Sequence, residues 1–506
     1  MATLTASLDR PLVNDKREIF GWAMYDWANS AFSTTIGTVF LGPYLSSLVR
    51  AAAEASPDGQ ARFFGLPVAA ESFLPFCIAF SVVFQAGFLP ILGAIADYSH
   101  RRKFLLRLFA TVGAVATMAL FFVQGDLWWL GGVLFIIANL AFGAAIVFYN
   151  AYLPDIASPD QRDRVSAFGW AMGYLGGGLL LVLNLALFLG HERLGLDSAT
   201  AVRINLASAG AWWLGWAFLT WATLRSRRSA RALPAGETVL SIAFKQLSGT
   251  TGLPAPTIAF LLLSPVLVFV WLPVVSFLGL SIELIFIAAI GPIVMIGLFL
   301  WRKRHELPET TKFLLAYLIY NDGIQTVIAV SSLFAAAPVE RGGLGVPTQR
   351  LILLILMIQF IAFIGALLFG RLAEWLGGKR ALVVSLLIWS AVVIYAFLGM
   401  QNFGASPLGI PIAELEFWVL GIFIALVLGG SQAISRSMFA QMIPKEKEAE
   451  YFSIYEISER GTSWLGPFIF GAVNQAIGNL RPAVFSVVLF FVVGLAILFT
   501  VNAARA

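Results

Sequence analysis

Two apolar segments of this chain carry acids that could do chemistry inside a membrane. Asp26 and Asn29 lie in the first long apolar stretch, and Asp322 and Gln325 lie in a later stretch of the same kind. A carboxylate in the hydrocarbon layer costs at least about 3 kcal/mol, so it is kept where it faces a protein interior or a water-filled path. We therefore predict that these four side chains line a route across the bilayer.

The chemistry available to such acids is proton exchange. At about 1.5 Å per residue, Asp26 and Asp322 lie roughly 10 to 15 Å inside their helices. Burial favours the neutral form of a carboxyl group, so either acid could exchange a proton as the route opens to each side in turn. The alternative is that both acids are held in permanent ion pairs or hydrogen bonds. Trp27, beside Asp26, is a further candidate because its ring could stack against a solute.

A third apolar segment contains Arg436, with Gln432 one turn earlier on the same helix face. We place Gln432 on the pathway. The buried cation needs a partner, and acids are available at similar depth in the next helix. We favour an inner gate that breaks when the cytoplasmic side opens, and the alternative is that Arg436 binds a substrate carboxylate through two parallel hydrogen bonds. The candidate members of the gate are Arg436, Glu456, Glu459, Arg460 and Asp322.

The composition is that of a polytopic membrane protein. Hydrophobic residues make up 59% of the 506 positions and charged residues 12%, whereas about a quarter of the residues in a soluble domain are charged. The net charge of +5 could suggest nucleic-acid binding, but the lysines and arginines are clustered between apolar runs, as the positive-inside rule requires of cytoplasmic loops. We therefore expect a lipid bilayer around the chain and no nucleic acid bound to it.

The sequence does not indicate metal, cofactor or enzyme chemistry. Cys77 is the only cysteine, and His100, His191 and His305 fall outside the apolar cores without the spacing of a metal site. The glycine runs lack the lysine of a phosphate-binding loop, and neither paired histidines nor a serine elbow occurs. We expect no enzyme activity, no metal and no cofactor.

Fourteen apolar segments are long enough to span a bilayer. We predict membrane helices at 20–48, 72–96, 104–123, 128–152, 165–190, 203–224, 255–278, 281–301, 312–335, 349–370, 381–400, 415–443, 451–475 and 482–501. The resulting domains are a cytoplasmic tail (1–18), a six-helix bundle (19–224), a cytoplasmic linker (225–254), an inserted transmembrane hairpin (255–301) and a second six-helix bundle (302–506). Two crossings in the hairpin keep the basic clusters on both sides of it in the cytoplasm, and the alternative is a pair of re-entrant or surface helices.

One short motif occurs in both bundles. Gly93 precedes Asp97 by four positions at the end of the second helix, and Gly370 precedes Glu374 by four positions at the end of its counterpart. The basic residues that follow the two acids are Arg101, Arg102, Lys379 and Arg380.

The repeated acids are expected to join the two bundles. Unpaired N–H groups at the start of a helix attract negative charge. We therefore predict that Asp97 meets the amino end of the helix beginning near Tyr451, and that Glu374 meets that of the helix beginning near Val165. The alternative, that these charges only fix topology, accounts for the basic residues but not for the repeated acid.

The paired motif resembles the loop motif of the major facilitator superfamily, whose two six-helix halves enclose a central cavity. Longer strings are similar to the vacuole-effluxer branch of that superfamily, namely GWAMYDWANSAF, VFYNAYLPDI, GYLGGGLL, LAYLIYNDGIQTVI, GGSQAISRSMFAQMIP and FSIYEISERGTSWLGPFIFG. The resemblance covers 18–235 and 306–501. It implies a cavity lined by the first and seventh helices and the export of amino acids, as from the yeast vacuole. Segment 255–301 departs from the family pattern.

These observations predict an all-α polytopic membrane protein with the major facilitator fold and about 14 transmembrane helices. We expect a secondary active transporter of small polar solutes, amino acids among them, that works by alternating access and is coupled to protons through Asp26 or Asp322. The alternatives are an exporter of drug-like or apolar compounds and, in another class, a membrane receptor or structural protein. We expect a monomer in the bacterial cytoplasmic membrane, with both termini in the cytoplasm.

Several polar and aromatic residues near helix ends are interpreted as structural. We assign Asn150 and the run Arg162, Asp163 and Arg164 to helix caps and solvated charges, and Trp22 to an interfacial anchor. None of them is placed on the pathway.

Overall fold

The computed structural model describes residues 13–63, 66–68, 70, 73–98, 101–226, 236–238, 304–406, 409–444, 447–460 and 465–502, together with isolated residues between 241 and 302. For residues 457–460 the description covers the backbone alone.

The N-terminal half contains six long helices. They are α1 (Lys16–Ala55), α2 (Phe73–Tyr98), α3 (Arg102–Ala119), α4 (Trp128–Asn150), α5 (Arg162–Leu189) and α6 (Ser198–Thr223). Two short antiparallel strands, β1 (Ala61–Phe63) and β2 (Leu66–Val68), lie between α1 and α2. The side chain of Asp15 accepts a hydrogen bond from Arg17 N at the start of α1, which satisfies one of the unpaired N–H groups there.

The C-terminal half repeats this pattern. Its helices are α7 (Pro308–Ala336), α8 (Thr348–Leu376), α9 (Gly378–Leu398), α10 (Ile412–Met442), α11 (Glu448–Arg460), α12 (Leu465–Ile477) and α13 (Leu480–Thr500). Pro308 stands at the first turn of α7, where a missing N–H is tolerated. Gly377 joins α8 to α9 with a φ of 86°, a conformation that favours glycine.

The predicted all-α membrane fold is confirmed. Among the described residues, nine helices are long and apolar enough to cross a membrane. The hairpin predicted at 255–301 lies almost wholly outside the described residues, so the total of fourteen helices stays a prediction. The helix predicted at 451–475 corresponds to α11 and α12, between which residues 461–464 are outside the description.

Helix α1 is longer than predicted and changes its winding midway. Between its α-helical ends, Phe32–Phe40 forms a π-helical segment. The hydroxyl of Thr38 donates to the carbonyl of Ser33, five residues earlier, over 3.0 Å. Such wide turns are uncommon and occur often at functional sites.

The two halves pack through equivalent helices of each repeat. Helix α2 packs against α11, and α5 packs against α8 and α10. A Cβ atom at Gly93 would lie 2.5 Å from the Ala449 carbonyl oxygen, and one at Gly370 would lie 2.5 Å from the Ala167 Cβ. The glycine of each repeated motif therefore permits close approach of the halves.

The described hydrogen bonds between the halves cluster at one end of the bundle. We call this the basic end, defined by the start of α1, by Arg101 and Arg102 at the start of α3, and by Lys379 and Arg380 at the start of α9. Because the halves are joined there, the basic end is closed in this structure.

Candidate functional site

A cavity of about 490 Å³ lies between the two halves. Its walls come from α1, α2, α4 and α5 on one side and from α7, α8, α10 and α11 on the other. Its polar lining includes Asp26, Asn29, Asn139, Gln325, Gln359 and Arg436. Three of the residues predicted to face a central cavity therefore line it: Asp26 and Asn29 from α1, and Gln325 from α7. The volume suits a small molecule.

An ion pair joins the halves at the cavity wall. Arg436 Nη1 of α10 lies 3.1 Å from Asp26 Oδ2 of α1, and the two side chains are 3% and 11% exposed. The hydroxyl of Tyr149 donates to the same carboxylate oxygen over 2.7 Å. Removing one partner from such a buried pair leaves an uncompensated charge, which costs about 3 to 5 kcal/mol.

Arg436 is inserted into a pocket of the N-terminal half. Its Nε donates to the Ser166 hydroxyl over 2.9 Å, and its Nη2 donates to the Ser166 carbonyl over 2.7 Å. The guanidinium lies over the rings of Trp22, Trp170 and Tyr149 at 4.9, 5.3 and 5.7 Å. Aromatic faces attract a cation, most strongly where water is excluded. The arginine therefore joins the two halves in this structure, and we call the Asp26–Arg436 ion pair the latch.

The latch extends to the next helix through an amide. Asn150 Oδ1 accepts from Arg436 Nη1 over 3.4 Å, and Asn150 Nδ2 donates to Glu456 Oε1 over 2.8 Å. The predicted association of Arg436 with Glu456 is therefore indirect. The side chains of Glu459 and Arg460, also proposed for the gate, lie outside the described part of the chain.

A glycine on α5 makes room for the ion pair. A Cβ atom at Gly169 would lie 2.8 Å from Asp26 Oδ2, 2.9 Å from Arg436 Nη2 and 2.8 Å from the Trp22 ring. No side chain larger than hydrogen fits there unless all three groups shift. The absence of a side chain at Gly169 thus allows Asp26 and Arg436 to meet.

The sequence matches the family described as "Vacuole effluxer Atg22 like" over residues 14–253 and 257–506. The chain belongs to the vacuole effluxer Atg22-like family. It is 27% identical over 479 residues to the uncharacterized MFS-type transporter YxiO of Bacillus subtilis, covering 94% of this chain and 93% of that one. It is 24% identical to autophagy-related protein 22-1 of Penicillium rubens, covering 94% and 88%.

Solved structures show the same architecture for this Atg22-like chain. The human organic anion transporter MFSD10 superimposes with a TM-score of 0.62 at 14% identity, over 96% of this chain and 99% of that one. The proton:xylose symporter XylE gives 0.61 at 12% identity, over 96% and 94%. The predicted major facilitator fold, in its vacuole-effluxer branch, is confirmed. The chain is a secondary transporter of the membrane and not an enzyme.

In this Atg22-like transporter, Asp97 of the repeated motif lies at the amino end of α11. Its two carboxylate oxygens accept from Ala449 N over 3.1 Å and from Glu450 N over 3.0 Å. Arg102 lies 3.5 Å from Asp97 and 2.9 Å from Asp155. The acid thus joins α2 of one half to the start of α11 in the other.

The second copy of the motif does not mirror the first. Glu374 lies near Asp163 in the first turn of α5, but its side chain is exposed and makes no hydrogen bond to a described residue, so it does not cap α5 as predicted. Lys379 instead donates to the carbonyls of Phe499 and Val501 at the end of α13, where a cation suits the helix dipole. Arg101 and Arg380 are exposed.

Three residues predicted on the pathway lie away from the cavity lining. Asp322 is 1% exposed, and its Oδ2 accepts from Gly466 N at the start of α12 over 2.9 Å. Gln432 donates to Asn321 over 2.8 Å inside the C-terminal half. Trp27 stacks on Trp212 of α6 with ring centroids 5.7 Å apart. Asp322 and Gln432 therefore do not line the cavity in this conformation, contrary to the prediction, and the stacking of Trp27 on a substrate stays a prediction.

Four residues interpreted as structural belong to the latch or its surroundings. Trp22 is fully buried, and Asn150 bridges the halves. Arg162 donates to the Ala440 carbonyl over 3.0 Å, and Asp163 accepts from the hydroxyl of Ser437, both contacts reaching α10. The spacing of Ser166, Gly169 and Trp170 places them on one face of α5. The sequence could therefore have indicated that this face contacts another helix.

Replacing Asp97 by Ala should loosen the basic end. The change removes both hydrogen bonds to the start of α11, and the loss of a helix cap costs about 1 kcal/mol, roughly a fivefold change in the ratio of open to closed forms. We would measure it by double electron–electron resonance between nitroxides at Arg101→Cys and Arg380→Cys, with Cys77→Ser as background. Asp126→Ala, an exposed acid at the other end, is the control. An unchanged distance distribution in Asp97→Ala would contradict the assignment.

Proposed function

We propose that this transporter moves small polar solutes, amino acids among them, by alternating access with the Asp26–Arg436 latch as its inner gate. The observation that carries the proposal is the position of the latch, since the pair lies on the cavity wall and joins the two halves. A closing contact beside the solute cavity can respond to solute. The family match of the chain disfavours the receptor and the structural protein.

The lining of the cavity supports polar solutes. Asn29, Asn139, Gln325 and Gln359 bring amide groups to the same space as the ion pair. Amides both donate and accept hydrogen bonds, so a solute with polar groups of either kind finds partners. A wholly apolar compound would leave these groups unpaired, but aromatic rings such as Phe135 and Phe142 line the same space, so an apolar part of a solute also finds contacts there.

Two acids are available for coupling to protons. Asp26 is paired with Arg436, whereas Asp322 Oδ1 has no hydrogen-bond partner among the described residues. We propose that one of them carries a proton during the cycle. We further propose that the basic end faces the cytoplasm, because its arginines and lysines follow the positive-inside rule.

Counterflow in reconstituted vesicles tests the proposed function. Wild-type protein is expected to exchange labelled L-amino acids across the vesicle membrane, and a proton gradient should change the rate. If Asp26→Asn or Asp322→Asn removes the dependence on the gradient, that acid is the proton carrier. If folded wild-type protein exchanges no amino acid, the proposed substrate is wrong. If the proton gradient has the same effect in both variants as in wild type, neither Asp26 nor Asp322 couples transport to protons.

A further inference from the structure

We propose that the pocket holding the Arg436 side chain is a binding site for guanidinium cations, which occupy it from the basic end when the two halves separate there. The groups that contact the guanidinium belong to the N-terminal half, whereas Arg436 comes from α10 of the other half. The site therefore rests on the alternating access proposed above, because only a separation at the basic end withdraws Arg436 from it. Its ligand is an organic cation, and binding does not depend on which solute the central cavity carries.

The polar groups around Arg436 are arranged for a flat donor. Its Nε and Nη2 donate to the hydroxyl and the carbonyl of Ser166, over 2.9 and 2.7 Å. Its Nη1 lies 3.1 Å from Asp26 Oδ2 and 3.4 Å from Asn150 Oδ1. A guanidinium presents five N–H donors in one plane, and all three of its nitrogens find acceptors here.

Aromatic rings complete the pocket. The guanidinium carbon lies 4.9 Å from the ring centroid of Trp22, 5.3 Å from that of Trp170 and 5.7 Å from that of Tyr149. Aromatic faces attract a cation, and a guanidinium is more weakly hydrated than an ammonium, so it loses less on leaving water. The pocket thus favours a guanidinium over a primary ammonium of the same charge, and the carboxylate of Asp26 disfavours anions.

The pocket keeps its shape when Arg436 leaves, because its parts are joined within the N-terminal half. Trp22 Nε1 donates to the Tyr149 carbonyl over 2.9 Å, and the two rings stack with their centroids 4.4 Å apart. The Tyr149 hydroxyl donates to Asp26 Oδ2 over 2.7 Å. The helices of one half move together in a rigid-body transition, so these contacts survive the opening. A site that is already formed binds its ligand without an ordering cost.

Opening at the basic end leaves the two charges of the latch in different surroundings. Arg436 is 3% exposed in the closed form, but once withdrawn it faces the water-filled opening, where a lone cation is tolerated. Asp26 stays in the pocket with Tyr149 and loses its counter-ion. A guanidinium cation supplies that counter-ion and occupies the place that Arg436 needs for closure. It therefore binds the open form alone and shifts the transporter toward that form.

Chemical rescue of Arg436→Ala tests the site directly. The substitution vacates the pocket, so millimolar N-propylguanidinium should raise the thermal unfolding temperature of the variant in a saturable way, because a ligand that binds the folded form stabilises it. Two probes of similar length are the controls. Propylurea is planar but uncharged, butylammonium is charged but not planar, and neither should stabilise the variant. The double variant Asp26→Asn/Arg436→Ala, which lacks the counter-ion, should lose the response.

Protein with Arg436 intact gives a second measurement. N-propylguanidinium should lengthen the distance between nitroxides at Arg101→Cys and Arg380→Cys in the Cys77→Ser background, and propylurea should not. Here the cation must displace Arg436, so half-saturation should need a concentration at least about tenfold higher than in Arg436→Ala, since the apparent dissociation constant rises as the fraction of open form falls. A general effect of guanidinium salts on stability would not produce tighter binding after the loss of one residue.

The outcomes separate the binding site from the proposed function. Saturable rescue by N-propylguanidinium alone supports the site. An equal response to either control probe, or a response that persists in Asp26→Asn/Arg436→Ala, overturns the site and leaves amino-acid counterflow standing. An unchanged nitroxide distance with N-propylguanidinium overturns it as well, and this measurement does not require Arg436→Ala to fold. Rescue without any amino-acid counterflow in wild type supports the site and overturns the proposed solutes.

Discussion

Replacing Arg436 by Gln should abolish counterflow and destabilise the protein at the same time. The change leaves Asp26 buried without its cation and removes the hydrogen bonds to Ser166, so we expect a loss of about 3 to 5 kcal/mol in the free energy of unfolding. Transport should fall to the background of empty vesicles, because the gate can no longer close on its partner. Thermal unfolding in detergent and counterflow in vesicles measure the two effects.

The double variant distinguishes a charge effect from a general packing effect. Asp26→Asn/Arg436→Gln leaves neither charge unpaired, so it should recover about half or more of the stability lost in Arg436→Gln alone while remaining unable to transport. Arg371→Gln, an exposed arginine on α8, is the matched control and should behave as wild type. If the double variant is as unstable as the sum of the single variants, the pair is not coupled as described.

Replacing Gly169 by Ala should force the latch open. The added methyl would lie within 2.9 Å of Asp26, Arg436 and Trp22 together, and these groups are held by their own hydrogen bonds and ring contacts. Overpacking of this kind costs about 1 to 3 kcal/mol. We expect the nitroxide distance at the basic end to increase and counterflow to fall at least tenfold, since about 1.4 kcal/mol corresponds to a factor of ten.

Gly215→Ala is the matched control for this prediction, because nothing lies within 4 Å of a Cβ atom at Gly215. It should leave both the distance and the exchange rate unchanged. A Gly169→Ala variant that transports at the wild-type rate with an unaltered distance would show that the latch tolerates the methyl group. The role given to Gly169 would then be wrong.

The architecture could be predicted from the sequence because each of its parts has a local signal. Apolar runs indicate the membrane helices, although their ends extend beyond the apolar part, as in α1, predicted at 20–48 and observed at Lys16–Ala55. The repeated glycine, together with the acid of the first copy, Asp97, indicated where the halves meet. Asp26 was identified because a charge inside an apolar run is costly and is kept only where it faces a partner or a water-filled path.

The partners of Arg436 could not be predicted because they depend on which helices pack together. Glu456 was favoured because it lies at similar depth in the following helix, but Asp26 is the acid that faces the guanidinium. Asn150 stands at a helix end, where a polar residue is ordinarily a cap. Asp322 occupies a position similar to that of Asp26 in the repeat, yet its neighbours differ, and it meets the start of α12 rather than an arginine. Two residues at similar positions of the repeat can therefore have different side-chain partners.

The distance across each end of the bundle is the most direct test of the latch. Labels at Arg101→Cys and Arg380→Cys report on the basic end, and labels at Arg193→Cys and Glu340→Cys report on the opposite end, all in the Cys77→Ser background. Our account predicts that Asp26→Asn/Arg436→Gln lengthens the first distance and shortens the second relative to the protein with the pair intact. Equal distances at the basic end with and without the pair would contradict the claim that Asp26 and Arg436 hold the transporter closed.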